Sequence, residues 1–292
     1  MRIFRLIRKK ITKILINLIV NKFSIIFRAL ILSKQNNCNI SHVDLKFSKN
    51  TFLGKTKEII RLKIDSTNLP KILENGFFDI FIYKFLKKIK IKKIIFIDIG
   101  SNQGLVSRQV KNLKKVKKIY AYEPNPEIFS ILKKNLTKVS QNIYNYGWGN
   151  KNKSFFLWCS KFNSGDYSLY KNKSRTQKIK CQIKEFNNEF NKIYTKNKNY
   201  NFVVKTDCQG YDIDIFNRLK IANIKKIKVY IMELDSVPHN KKDNFFKRLK
   251  LFNNFYICED SINQEKLKKI NYNDIEYLIN NKKEFDLIMS KN

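Results

Sequence analysis

Phe96-Ile97-Asp98-Ile99-Gly100-Ser101-Asn102-Gln103-Gly104, followed by Tyr120-Ala121-Tyr122-Glu123-Pro124-Asn125-Pro126, decides the reading of this chain. Ile94 to Ile99 is a short apolar run of the kind buried on both faces of a parallel sheet. It ends in a glycine-containing turn that opens a helix predicted from Gln103 to about Lys115. A second apolar strand, Ile119 to Tyr122, delivers Glu123 at its carboxyl end. That order places a tight turn and a carboxylate at the crevice where open α/β sheets bind nucleosides. Gly100 and Gly104 let backbone approach a ligand, and Glu123 is placed to accept hydrogen bonds from both ribose hydroxyls.

A dinucleotide fingerprint runs G-x-G-x-x-G. Here the loop is Gly100-x-x-x-Gly104, with Asn102 where the middle glycine would press against a pyrophosphate. S-adenosyl-L-methionine has no pyrophosphate, so the constraint relaxes, and Asp98 can face its methionyl ammonium. Strand, acid, glycine turn, helix, strand and acid in that order predict a binder of S-adenosyl-L-methionine in preference to NAD. The predicted contact set is Asp98, Gly100, Ser101, Asn102, Gly104, Glu123 and Asn125.

Further along, Asn142 to Tyr146 reads as a third strand and Gly147-Trp148-Gly149 as the turn after it. Trp148 there either stacks on adenine or fills the core. Phe155 to Cys159 and Lys178 to Ile183 read as strands around a polar loop, Asn163 to Arg175. Carrying Ser164, Asp166, Tyr167 and Ser168, this hairpin is expected over the active-site face, where loops commonly select substrate. A fourth strand, Phe202 to Thr206, ends at Asp207, and a fifth, Lys226 to Met232, ends at Glu233. Both acids leave the sheet at one edge, where an acceptor hydroxyl needs in-line positioning and a base to take its proton. Asp207, Glu233 and then His239 are the catalytic candidates in that order. Each has a plainer reading: a helix cap for Asp207, a buried structural acid for Glu233, an exposed loop histidine for His239. Hard oxygen ligands at Asp207 and Glu233 suit magnesium, but no third ligand is fixed and no metal is expected.

The chain resembles the FkbM-type S-adenosylmethionine-dependent methyltransferases. The resemblance rests on FIDIGSNQG (Phe96 to Gly104), YAYEPNPEIFSILKKNL (Tyr120 to Leu136) and VVKTDCQGYDIDIF (Val203 to Phe216), with weaker echoes in IMEL (Ile231 to Leu234) and DLIMSK (Asp286 to Lys291). It implies a class I methyltransferase Rossmann-like fold, with helices on both faces of a mostly parallel seven-stranded sheet whose last strand is antiparallel. It also implies O-methylation of a sugar or natural-product hydroxyl. The family's D-V-E-G-x-E stretch is Asp207-Cys208-Gln209-Gly210-Tyr211-Asp212 here, so a charge is missing at Gln209. The acidic T-L-D-D segment is absent around Lys184-Glu185-Phe186. A catalytically inactive scaffold therefore stays open beside the enzyme reading.

The formal net charge of +36 over 292 residues attracts nucleic acid or anionic lipid. Lys, Asn, Ile and Phe are abundant throughout, a pattern that AT-rich codons produce without choosing a partner. RNA methylation is the runner-up function. Against it stand the absence of an N-P-P-[FY] tetrad and of a proline-flanked catalytic cysteine, since Cys208 lies between Asp207 and Gln209. The five cysteines are scattered, without metal-ligand spacing, which suits a reducing cytoplasm. Residues 1–34 form a predicted basic amphipathic helix, with Ile3, Ile7, Ile11, Ile14 and Leu18 on one stripe. Its apolar runs fall short of the roughly 20 residues that span a bilayer. An interfacial helix on an anionic membrane and a helix packed on the body with snorkelling lysines fit equally. Residues 35–92 read as a lead-in or cap, with strands at Leu45 to Phe47 and Ile59 to Ile64 and a helix over Gly76 to Leu86. Residues 93–292 read as the cofactor-binding domain.

Overall fold

The computed structural model describes residues 42–46, 51–54, 58–63, 72, 76–137, 142–160, 165–173, 175–234, 237–258, 266–281 and 284–291. The amphipathic segment 1–34 and Ser164 lie outside the described residues. In chain order the elements are β1 (His42–Lys46), β2 (Ile59–Lys63), α1 (Ile80–Lys88), β3 (Ile94–Ile99), α2 (Leu105–Lys111), β4 (Val116–Tyr122), α3 (Pro126–Leu136), β5 (Asn142–Tyr144) and β6 (Gly147–Gly149). There follow β7 (Lys153–Ser160), β8 (Tyr167–Ser168), β9 (Arg175–Glu185), α4 (Phe186–Lys196), β10 (Asn201–Thr206), α5 (Asp212–Arg218) and α6 (Ile221–Lys226). The chain closes with β11 (Ile227–Leu234), α7 (His239–Leu249), β12 (Asn254–Cys258), β13 (Lys268–Ile270), α8 (Tyr272–Asn280) and β14 (Phe285–Ser290).

An eight-stranded sheet in the order β13-β12-β14-β11-β10-β3-β4-β5 forms the centre. β11, β10, β3, β4 and β5 pair in parallel, while β14 pairs antiparallel to β11 and to β12. The sheet has one strand more than the seven expected, because β13 adds a short antiparallel rim on β12. Both faces are covered because the central strands present apolar side chains to each side. Ile95, Ile97 and Ile99 face Phe186, Phe190, Ile213 and Phe216, while Ile94 and Phe96 face Phe81, Val106, Val110 and Leu132. Helices therefore pack on each side, as the continuous apolar runs require.

The direction in which successive strands are added to the sheet reverses at β3 and β10, which lie side by side and parallel with Ile99 registered on Thr206. Their carboxyl ends part there and leave a crevice, the usual ligand site of open α/β sheets. A second sheet, β6-β9-β7-β8, is inserted between β5 and α4 and roofs this crevice. Gly147-Trp148-Gly149, expected as a turn, is the strand β6, paired parallel to β9. Close packing explains the difference, because a Cβ at Gly149 would come within 2.4 Å of Ile183.

The described part of the lead-in packs behind the glycine turn. Arg61 and Asn135 exchange two hydrogen bonds of 2.8 Å, fastening β2 to α3, and the Lys63 N–H donates to Gln103 Oε1 at 2.7 Å. Leu53, Ile60, Leu62, Ile72 and Leu105 form a small cluster beneath this contact. The described part of the lead-in thus buttresses the back of the glycine turn. Among the described residues no helix is long and apolar enough to cross a membrane.

At Gly100 the obstacle to a side chain is backbone itself. The φ of Gly100 is +75°, and a Cβ would lie 2.0 Å from the Asp207 carbonyl oxygen. Gly147 is the contrast, with a Cβ that would meet Pro124 at an ordinary 3.4 Å. Gly100→Ala should lose at least about 3 kcal/mol of stability or fail to fold, whereas Gly147→Ala should stay within about 1 kcal/mol of the parent. Urea unfolding measures both, and equal losses would refute the assigned close approach.

Candidate active site

The glycine turn and the end of β4 are stitched together before any ligand is considered. The N–H groups of Gly100 and Ser101 donate to Tyr122 O at 3.0 and 2.9 Å. Ser101 Oγ donates to Asp98 O at 2.7 Å and accepts from the Tyr122 N–H at 3.1 Å. Glu123 then accepts the Asn102 N–H at 3.0 Å on one oxygen and the Asn125 N–H at 2.8 Å on the other. Its carboxyl is 6 % exposed, and burial pushes its pKa up to about 7 against those two hydrogen bonds, with Asp207 and Asp98 adding repulsion.

A cavity partly open to solvent lies above this loop. Gly100, Asn102, Glu123, Pro124 and Trp148 line one side, and Asp207, Cys208, Gln209 and Tyr211 the other. Leu157, Tyr167, Leu169 and Ile183 of the inserted sheet close it from above. The expectation that the 163–175 hairpin covers the active-site face is met at Tyr167 and Leu169.

Asp207 is the carboxylate of the polar end. Its N–H donates to Ile99 O at 3.1 Å, and its side chain, 28 % exposed, accepts from Lys205 Nζ at 3.2 Å and Gln209 Nε2 at 3.2 Å. Burial opposes its charge, but the Lys205 ammonium and the Gln209 amide outweigh burial and hold Asp207 below the usual carboxylate range. Glu233 joins it through the same amide, which donates to Glu233 Oε2 at 2.8 Å. Cys208 also lines the cavity, but burial beside Asp212 and Asp207 pushes its thiol well up, so it stays protonated.

Several expected contact residues carry structural work of their own. The Asp98 side chain is fully buried behind the turn, where it accepts from Ser107 Oγ at 2.5 Å and lies 3.6 Å from Lys205 Nζ. Burial raises its pKa, and it does not reach the cavity wall. Ser101 is spent on the β3–β4 clasp. Gly104 makes room for α3, since a Cβ there would sit 2.7 Å from Leu132 Cδ1. Asn125 caps α3, accepting the Glu127 N–H at 2.9 Å. His239 opens α7 as an exposed residue and is absent from the cavity lining. Trp148 fills the core, its ring edge-on to Tyr122 at 5.1 Å, and the residue also lines the cavity. Pro124, Leu157, Leu169, Ile183 and Tyr211 were missed by motif reasoning, because no local pattern announces a wall assembled from the inserted sheet.

A profile of the methyltransferase FkbM domain matches residues 98–258. The chain belongs to the FkbM methyltransferase family. It is an S-adenosyl-L-methionine-dependent methyltransferase. No curated protein matches the chain. Among solved structures it is similar to precorrin-6y C5,15-methyltransferase from Geobacter metallireducens, at 12 % identity over 72 % of this chain and 86 % of that one, TM-score 0.34. It is also similar to an S-adenosylmethionine-dependent O-methyltransferase from Thermotoga maritima, at 11 % identity over 85 % and 77 %, TM-score 0.35. Strand order and the family match define the fold, since these likenesses are too remote to add to it.

The donor set suits the family's cofactor. Gly100 leaves bare backbone at the cavity floor, and the buried Asn102 Oδ1 and Trp148 Nε1 lack partners within the protein. Glu123 keeps lone pairs beyond the two that bind backbone, so it can receive ribose hydroxyls. Hydroxyl donors favour the carboxylate form, so the pKa near 7 should fall on binding. Affinity for S-adenosylhomocysteine should then rise with pH through about 7, with a proton released on binding near pH 6.5. Calorimetry in buffers of different ionisation heat measures that proton. Glu123→Gln should abolish the pH step and weaken binding at pH 8 at least about tenfold; a flat profile from pH 6 to 8 in the parent would remove Glu123 from the ribose.

Proposed function

We propose that this methyltransferase acts on a hydroxyl of a sugar, a glycan or a related small molecule. One observation carries the reading: Asp207 is a carboxylate held ionised by a buried ammonium at the polar end of the cavity that Gly100 floors. An ionised acid held at that edge is equipped to take a proton from an alcohol. The resemblance to FkbM-type enzymes points to the same acceptor chemistry.

S-adenosyl-L-methionine supplies an electrophilic methyl group when bound. Gly100, Asn102, Glu123 and Trp148 are the residues proposed to hold it. Asp207 would accept the acceptor's hydroxyl proton, and Lys205 keeps Asp207 charged until then. Glu233, tied to Asp207 through Gln209, supports the carboxylate from behind. Leu157, Tyr167 and Leu169 exclude water above the reacting oxygen, which strengthens these electrostatic effects. Asp98, Ser101, Gly104 and Asn125 act through the loops they shape.

Incubation with methyl-labelled cofactor and a panel of free sugars, lipid-linked glycans and total RNA should place label in the carbohydrate fraction. Asp207→Asn should lower that transfer at least about a hundredfold while leaving the unfolding midpoint nearly unchanged. Label confined to RNA would overturn the acceptor class, and undiminished transfer by the Asn variant would overturn the base.

We also propose, from the sequence pattern alone, that segment 1–34 lies on an anionic membrane surface and brings the domain, bounded near residues 35 and 93, to its acceptor. Each Lys or Arg near such a surface contributes about 1 kcal/mol and is weakened by salt, whereas apolar insertion resists salt. The full chain should sediment with anionic liposomes and poorly with neutral ones. A chain starting at Gln35 that folds and still sediments equally well would disprove the anchor.

A further inference from the structure

Gln209 occupies the junction between two acids. Its carboxamide nitrogen donates to Asp207 Oδ1 at 3.2 Å and to Glu233 Oε2 at 2.8 Å. The amide thus donates to both acids at once, beside the hydrogen bond that Glu233 itself shares with Asp207. Two carboxylates that close would otherwise raise each other's pKa and leave one protonated.

The backbone pays for this placement. Gln209 has φ +50°, a left-handed conformation that a residue with a Cβ rarely adopts, followed by Gly210 at φ +92°. The roof holds it there. Ser168 Oγ, in a residue 1 % exposed, donates to the Gln209 carbonyl at 2.8 Å and accepts the Tyr170 N–H at 3.1 Å. The Tyr170 hydroxyl in turn donates to Asp214, which also pairs with Lys241 at 2.6 Å. Below the loop, Asp212 accepts the Cys208 N–H at 3.1 Å. The strand that carries Tyr167 into the cavity is therefore hydrogen-bonded directly to the residue that joins the acids.

We infer that Gln209 is a positioning residue whose amide couples Asp207 to Glu233 in the place of a cation, and that Ser168 of the roof sets its position. The carboxylate offered to the acceptor and the wall against which the acceptor packs then move as one unit. This rests on the reading of Asp207 as the proton acceptor, but the bridge itself is testable without any acceptor. The charged groups facing Asp207 are Lys205 on its own strand, Asp98 of β3, Glu233 of β11, Asp212 of α5 and Glu123 beyond β4. None of these changes in the variants below.

Gln209→Gly is the decisive substitution, because glycine relieves the left-handed backbone while deleting the amide. Carboxyl-carbon NMR of labelled aspartate should show the Asp207 pKa raised by about one unit, a tenfold change in proton affinity, in a protein at least as stable as the parent. Ser168→Ala should move Asp207 in the same direction by less. Gln209→Glu should gather three carboxylates and bind Mn²⁺ at submillimolar concentration, read by electron paramagnetic resonance, where the parent binds none. An unmoved Asp207 in Gln209→Gly overturns the bridge, as does Mn²⁺ binding by the parent equal to that of the Glu variant. A raised pKa with unchanged methyl transfer supports the bridge and overturns the base role of Asp207.

Discussion

Lys205 stands near the end of the central strand β10 with its ammonium sealed beneath the site, 5 % exposed, between Asp207 at 3.2 Å and Asp98 at 3.6 Å. Burial alone would strip its proton, yet the two acids outweigh burial and hold it charged. One ammonium cannot serve two acids equally. Asp207 takes the closer contact and is held ionised, while Asp98, fully buried, is pushed the other way and leans on Ser107. Two acids of one type thereby acquire different protonation habits from position alone. Loss of either partner from such a group leaves an uncompensated buried charge, which commonly costs 3–5 kcal/mol, so the site and the centre of the sheet are held by the same interaction.

Around that group the two halves of the site meet by backbone contact. Gly100 presses against the Asp207 carbonyl, and the Asp207 N–H bonds Ile99. Glu123 ties the glycine turn to the loop after β4 through both of its oxygens. The inserted sheet then adds a wall that the sheet edge alone lacks. Floor, ionised acid and roof come from segments far apart in sequence, each fixed by hydrogen bonds to the next.

The parallel core was legible because its strands are apolar at successive positions and end in glycine or an acid. Glu123 and Asp207 were legible for the same reason, as acids at strand ends. Asp98 shares a strand face with Ile94 and Phe96, turned toward α2, and so meets Ser107 behind the turn. Gly104 and Asn125 sit in the right motif but serve the packing and capping of α3. His239 looked available after Pro238, yet that proline leads into α7 and leaves the histidine at its solvent-facing start. The roof was the least legible part, because β6 finds its partner in β9 more than thirty residues later, and no local pattern encodes a pairing at that distance.

The central sheet ends in strands of three residues on either side, β5 and β13. Lys268 and Lys269 stand exposed on β13, Lys117 and Lys118 on the part of β4 that β5 leaves uncovered, and Lys178 and Lys180 on β9 of the roof. Open strand edges are templates for pairing with another chain, and short, lysine-bearing edges discourage it. The excess of positive charge thus has a use that needs no anionic partner. In a chain with 43 % hydrophobic residues, lysines at such edges disfavour strand-by-strand addition of one copy to another.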